Sequence, residues 1–163
     1  MANEAWLNGK LEGFSRLTMP AAHALAQSIT DLEQVAPRWN DEQLSNPPKG
    51  SPSIAFHLRH IAGSIDRLLT YSRGEELSET QFARLKAENE PGGDSASELT
   101  RQAVEEINRA LDALKNVASE SLFEERFVGR KKLPTNVFGL LFHIAEHTAR
   151  HAGQIVTLAN LQN

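Results

Sequence analysis

Four long segments of this chain carry apolar residues at every third or fourth position, and no convincing strand-like alternation competes with them. At 3.6 residues per turn such residues form one stripe, which must be buried against a neighbouring element. The first segment is predicted to start near Pro20, a residue suited to the first helical turn, and carries Ala21, Leu25, Ile29, Leu32 and Val35 or Ala36. Pro37 and the Asn- and Pro-rich stretch 41–50 end it, and residues 3–17 are read as a further N-terminal helical segment. The second segment opens with Ser51 as cap and Pro52 at the first position. It runs through Ile54, Leu58, Ile61, Ile65, Leu68 and Leu69 and closes at Gly74. Ser78 and Gln81 spell a capping box for a short helix, and residues 89–94, with Pro91, Gly92 and Gly93, read as a turn. The third segment starts at Ser95, with Glu98 completing another capping box, and carries Val104, Ile107, Leu111 and Leu114 to about Ala118. A loop over 119–134, bent at Gly129, leads to a fourth helix from about Thr135. That helix carries Val137, Leu140, Leu141, Ile144, Ile155, Val156 and Leu158 to the C-terminus.

The expectation is an all-α four-helix bundle with long connections and a short extra helix between its second and third helices. The 163 residues are read as a single domain over 1–163. The chain has no cysteine, which excludes disulfides, thiolate zinc sites and a cysteine nucleophile. A net charge of −4 gives no electrostatic footprint for nucleic acid. The short basic run Arg126, Arg130, Lys131 and Lys132 sits beside Glu124 and Glu125 and reads as a solvated loop. The N-terminal residues lack the features of a signal peptide, and no apolar run approaches the ~18 residues of a membrane helix. A cytoplasmic protein with no membrane or nucleic-acid partner is expected.

Five of the six histidines fall in two helical clusters. The second segment has a polar stripe of His57, His60, Ser64, Arg67 and Tyr71 beside its apolar one. The fourth has His143, His147, Arg150 or His151, and Gln154. If both stripes face inward, they meet. Histidine is the commonest zinc ligand, and three protein ligands leave a position for water or substrate. A site needs one histidine from the second helix and an i, i+4 pair from the fourth. That pair is His143 with His147 or His147 with His151, so His147 is common to both. The remaining histidines would hydrogen-bond a ligand or a bound water. A helix–helix hydrogen-bond network without metal is the competing reading. His23, alone on the first helix, reads as structural. Asp66 and Glu146 are placed to orient a histidine or act as a base, with exposed helix-surface carboxylates as the plainer alternative. The phosphate-binding, dinucleotide-binding and nucleophile-elbow motifs are absent, as is H-E-x-x-H.

Two segments, FHLRHIAGSIDRLL and HIAEHTARHAGQI, resemble the second and last helices of the DinB/YfiT-like superfamily of metalloenzymes. The last matches its H-x-x-x-H-x-x-x-H spacing, and helix order agrees over about residues 15–162. The chain departs from the pattern at Ala152, where the family often has arginine; Arg150 or Arg67 is the candidate replacement. The resemblance implies metal ligands at His60, His147 and His151, with His57 and His143 as neighbours. It also implies homodimers and, among relatives, bacillithiol- or mycothiol-dependent transferases or isomerases and metal-dependent hydrolases. The resulting expectation is a divalent-metal enzyme acting on a small-molecule substrate, with thiol transfer ranked before hydrolysis. Zinc and nickel both suit imidazole ligands. A low-molecular-weight thiol is the further cofactor, and Arg67, Arg150 and Tyr71 are candidates to hold an anionic group. The rivals are a non-catalytic metal- or ligand-binding bundle and a structural homodimer whose histidines are buried polar groups.

Overall fold

A computed structural model of the chain describes residues 3–90 and 92–161. Six α-helices occur in them: α1 (Met19–Val35), α2 (Asp41–Ser45), α3 (Ile54–Ser72), α4 (Glu79–Ala87), α5 (Ala96–Asn116) and α6 (Val137–Leu161). The long ones, α1, α3, α5 and α6, form the bundle. Each of α1 and α3 packs against both α5 and α6, so the apolar stripes converge on one core. Leu25 and Leu32 meet Leu58, Ile61 and Ile65, with Leu99, Ile107 and Leu114 from α5 and Ile144 and Ile155 from α6, all buried. No helix among the described residues is long and apolar enough to cross a membrane.

The element ends follow capping chemistry more closely than the sequence reading did. Ser53, not Ser51, caps α3: its hydroxyl accepts the Phe56 N–H at 3.0 Å, and Pro52 lies before the helix. Two residues earlier, a Ser51 hydroxyl would not face the free N–H groups of the first turn. Ser78 and Gln81 form the expected reciprocal box at α4. At α5 only half of the box forms, because the Glu98 carboxylate accepts from Arg101 and Gln102 instead. The stretch expected to be irregular after Pro37 contains α2, capped by Asn40 with Gln43 and anchored by buried Leu44. The N-terminal segment forms only a 3-10 turn, Ala5–Asn8. Pro91 of the expected 89–94 turn lies outside the described residues, as do the two residues after α6.

The expected loop over 119–134 is largely a β-hairpin. Strand β1 (Glu125–Val128) pairs antiparallel with β2 (Leu133–Asn136), Val128 facing Leu133 and Glu125 facing Asn136. Gly129 (φ 70°) and Lys132 (φ 47°) both adopt the left-handed conformation that closes the turn. Thr135 therefore lies within a strand, and α6 starts two residues later than predicted.

Candidate metal centre

The centre lies where α3 crosses α6. His147 and His151 are one turn apart on α6 and share a face, with ring centroids 4.5 Å apart. His60 on α3 enters from the facing helix, 5.0 Å from the His147 ring and 4.6 Å from the His151 ring. Each of the three offers one ring nitrogen, and these nitrogens lie within 4.8 Å of one another. His60 Nε2 and His147 Nε2 are 2.9 Å apart.

Two further side chains fix the rings from behind. Glu88 Oε2 is 2.7 Å from His60 Nδ1, and Glu88 Oε1 accepts from Arg67 Nη1 at 2.6 Å. His57 Nδ1 is 2.8 Å from His151 Nδ1. Both Glu88 (4% exposed) and His57 (2%) are buried. A carboxylate only accepts and a neutral imidazole has a single N–H. In a neutral His60, Nδ1–H donates to Glu88 and the Nε2 lone pair faces the centre. His147 Nε2–H then donates to that lone pair. Its own Nδ1 is buried without a hydrogen-bond partner among the described residues. When His151 Nδ1–H donates to His57, its Nε2 is free as well.

The electrostatics favour neutral rings. Burial, followed by the neighbouring His60, lowers the pKa of His57. Burial and then His60, His143 and Arg150 push His147 down to about 4. Burial and the adjoining imidazoles and Arg150 push His151 down to about 3. At neutral pH these three rings are uncharged, each with one N–H and one lone-pair nitrogen, the charge state that metal ligation needs.

The other sequence candidates lie around this group. His143 is half-exposed; its ring is 5.2 Å from His147 and its Nδ1–H donates to Glu146 at 2.6 Å. Glu146 also accepts from Arg150, and that guanidinium first, then His143, holds its carboxyl below the usual range. His143, Glu146 and His147 form a second group whose donor atoms lie within 4.8 Å, spelled H-x-x-E-H in the sequence. The sequence reading missed this order. Arg67 is buried on Glu88, and Arg150 is exposed on Glu146. Tyr71 lines a separate cleft with Phe82, Phe127 and Arg130, in whose wall no histidine takes part. Gln154 is exposed on α6. Asp66 turns away to accept from Gln81, and His23 Nε2 donates to the Gly9 carbonyl at 2.9 Å, a structural role.

Glu88 is the site residue that sequence reasoning missed. Gly63 offered the only cue. An isolated glycine inside a helix often marks a close approach, and a Cβ there would fall on Glu88 Oε1 and 2.8 Å from Arg67 Nη1.

A helical bundle with histidines from two facing helices in one cluster describes a class, and the sequence places the chain within it. Residues 24–155 match the DinB superfamily, and the chain belongs to that family. Among solved structures it is similar to YfiT from Bacillus subtilis, described as a probable metal-dependent hydrolase with an unusual four-helix bundle topology. The TM-score is 0.69 at 16% identity, over 99% of this chain and 98% of that one. At that identity the likeness speaks for the fold. No curated protein matches the sequence.

Proposed function

We propose that this protein is a divalent-metal-dependent enzyme, with His60, His147 and His151 as the metal ligands. One observation carries the reading: three imidazole nitrogens from two helices converge within 4.8 Å. The donor set fits zinc or nickel, being all imidazole with no thiolate or charged oxygen in it. Three ligands leave open positions, and Glu88 and His57 hold two of the rings by their far nitrogens, as ligating histidines usually require. When bound, such an ion supplies Lewis acidity and a nucleophile at neutral pH. The chain's own part is to bring the three rings together and to orient two of them through Glu88 and His57. His143, half-exposed beside His147 and oriented by Glu146, is the polar group at the outer edge that a substrate meets.

Hydrolysis of a small molecule is the favoured reaction, ahead of transfer of a low-molecular-weight thiol. The two candidate guanidinium groups, Arg67 and Arg150, are both engaged by carboxylates. Both guanidinium charges are already matched by a carboxylate, which weakens their claim on the anionic part of such a thiol, and Tyr71 lines a different cleft. The reading also includes a homodimer, on the superfamily resemblance; sedimentation at the 18.0 kDa monomer mass, with and without metal, would remove that element.

The direct test is metal titration of tag-free protein followed by elemental analysis. Wild type should take up one zinc or nickel ion per chain. His147→Ala should bind about 100-fold more weakly or worse, because His147 belongs to both groups of converging donor atoms. His23→Ala should bind like wild type, since its ring is committed to Gly9. Equal affinity of His147→Ala and wild type would make the cluster a hydrogen-bond network only.

A further inference from the structure

We propose that Glu88 is the positioning residue of the histidine centre, delivered by α4 through a gap left by Gly63, and that it sets which nitrogen His60 presents. Helix α4 contributes no buried residue of its own. It is strapped to α3 by polar contacts: Gln81 Nε2 donates to Asp66 Oδ2 at 2.9 Å and to Thr70 Oγ1 at 2.8 Å. At the other end of α4 stands Glu88, its C-cap, which is 4% exposed. An element with no buried residue of its own that ends in a buried carboxylate is organised around that carboxylate.

The two oxygens of Glu88 divide the work. Oε1 takes Arg67 Nη1 and Oε2 takes His60 Nδ1, so each carboxylate oxygen has its own donor. A buried ion pair with a purely structural role would need only the Arg67 half. The second oxygen faces a histidine whose other nitrogen lies 2.9 Å from His147. Gly63 is what admits the carboxylate, because a methyl group there would occupy the space of Glu88 Oε1. Both groups it would strike are ends of flexible side chains, so Gly63→Ala should displace the carboxylate rather than the helix. Alanine also improves helix propensity at that position.

Glu88→Gln gives a sharper expectation. Arg67 can only donate, so the new amide must turn its oxygen to Arg67 and its NH2 to His60. His60 then has to accept at Nδ1 and carries its proton on Nε2, the nitrogen aimed at the centre.

The affinity arm of the test rests on the metal reading above, and the tautomer arm does not. Long-range 15N–1H NMR of metal-free protein at pH 7.5 should show His60 as the Nδ1–H tautomer in wild type. It should move toward Nε2–H in Glu88→Gln and lose its single tautomer in Gly63→Ala. Zinc affinity, measured by competition with a chromophoric chelator, should fall about 10- to 100-fold in both variants. Helical circular dichroism of Gly63→Ala should match wild type, so that a change at His60 reports displacement of the carboxylate and not loss of the fold. An unchanged His60 tautomer in Glu88→Gln overturns the proposal. If wild type binds no zinc, the metal reading falls and the tautomer result alone decides the role of Glu88. If Gly63→Ala does not fold, the gap is structural and that part of the proposal is overturned.

Discussion

His147 and His151 are held far below the ordinary histidine value, at about 4 and about 3. In the unfolded chain each would titrate near ~6.5. Between those values the folded chain binds fewer protons than the unfolded one, so stability declines as pH falls through the window. The contribution is fully present above about 6.5 and is lost progressively on acidification. The carboxylates with lowered values, Glu98 and Glu146 among them, act below their own reference of 4.5, so the upper part of the window belongs to the histidines. Urea unfolding of metal-free protein should therefore show stability dropping between pH 6.5 and 4.5. His151→Gln, which cannot take up that proton, should flatten the slope; equal slopes in the two proteins would remove buried neutral histidines as the cause. The column His143, His147 and His151 was legible because helical spacing alone puts its members on one face. The partners behind it were not. Glu88 is 28 residues from His60, and His57 is 94 from His151, so both pairings are set by packing.

At the scale of elements, the sequence was readable where a side chain closes its own backbone. Ser78 with Gln81 and Ser95 ahead of α5 are local hydrogen bonds between near neighbours, and both start a helix where expected. Ser53 was misjudged in favour of Ser51 because two serines flank Pro52, and only tertiary placement of the first turn selects between them. The hairpin escaped notice for a different reason. Its strands are four residues each, β2 reads LPTN, and Phe127 and Leu133 remain exposed. With so little apolar alternation there is no period-2 signal. The ladder instead depends on what flanks it: Val137 N–H and Phe138 N–H donate to the Glu124 and Leu122 carbonyls, tying the hairpin base to the start of α6. Arg126 ties it to the end of α3 by donating to the Ser72 carbonyl. The same dependence on neighbours hid α4 as a functional element. Its capping box announced a helix, but nothing local announced that its last turn carries a buried carboxylate into the centre.

For the whole molecule, the question is whether the centre holds the fold or the fold holds the centre. Small zinc domains unfold without metal because they lack a core. Here the bundle has a continuous buried cluster contributed by α1, α3, α5 and α6, and the histidines sit on only one of its helix–helix contacts. The fold should therefore persist without metal. Ligands from α3 and α6 should nevertheless couple binding to stability, because the unfolded chain cannot present all three rings together. At free metal about 100-fold above the dissociation constant, linkage adds about 2.7 kcal/mol. For a chain of this size that corresponds to a rise of about 5–10 °C in Tm. Chelator-treated protein should keep its helical circular dichroism and a cooperative melt, and its Tm should climb with the logarithm of added zinc or nickel. His147→Ala should lose that climb while keeping the metal-free melt. Unfolding on chelation would mean that the centre is structural and the core insufficient. A wild-type Tm indifferent to metal would mean that the three rings bind nothing in the folded state.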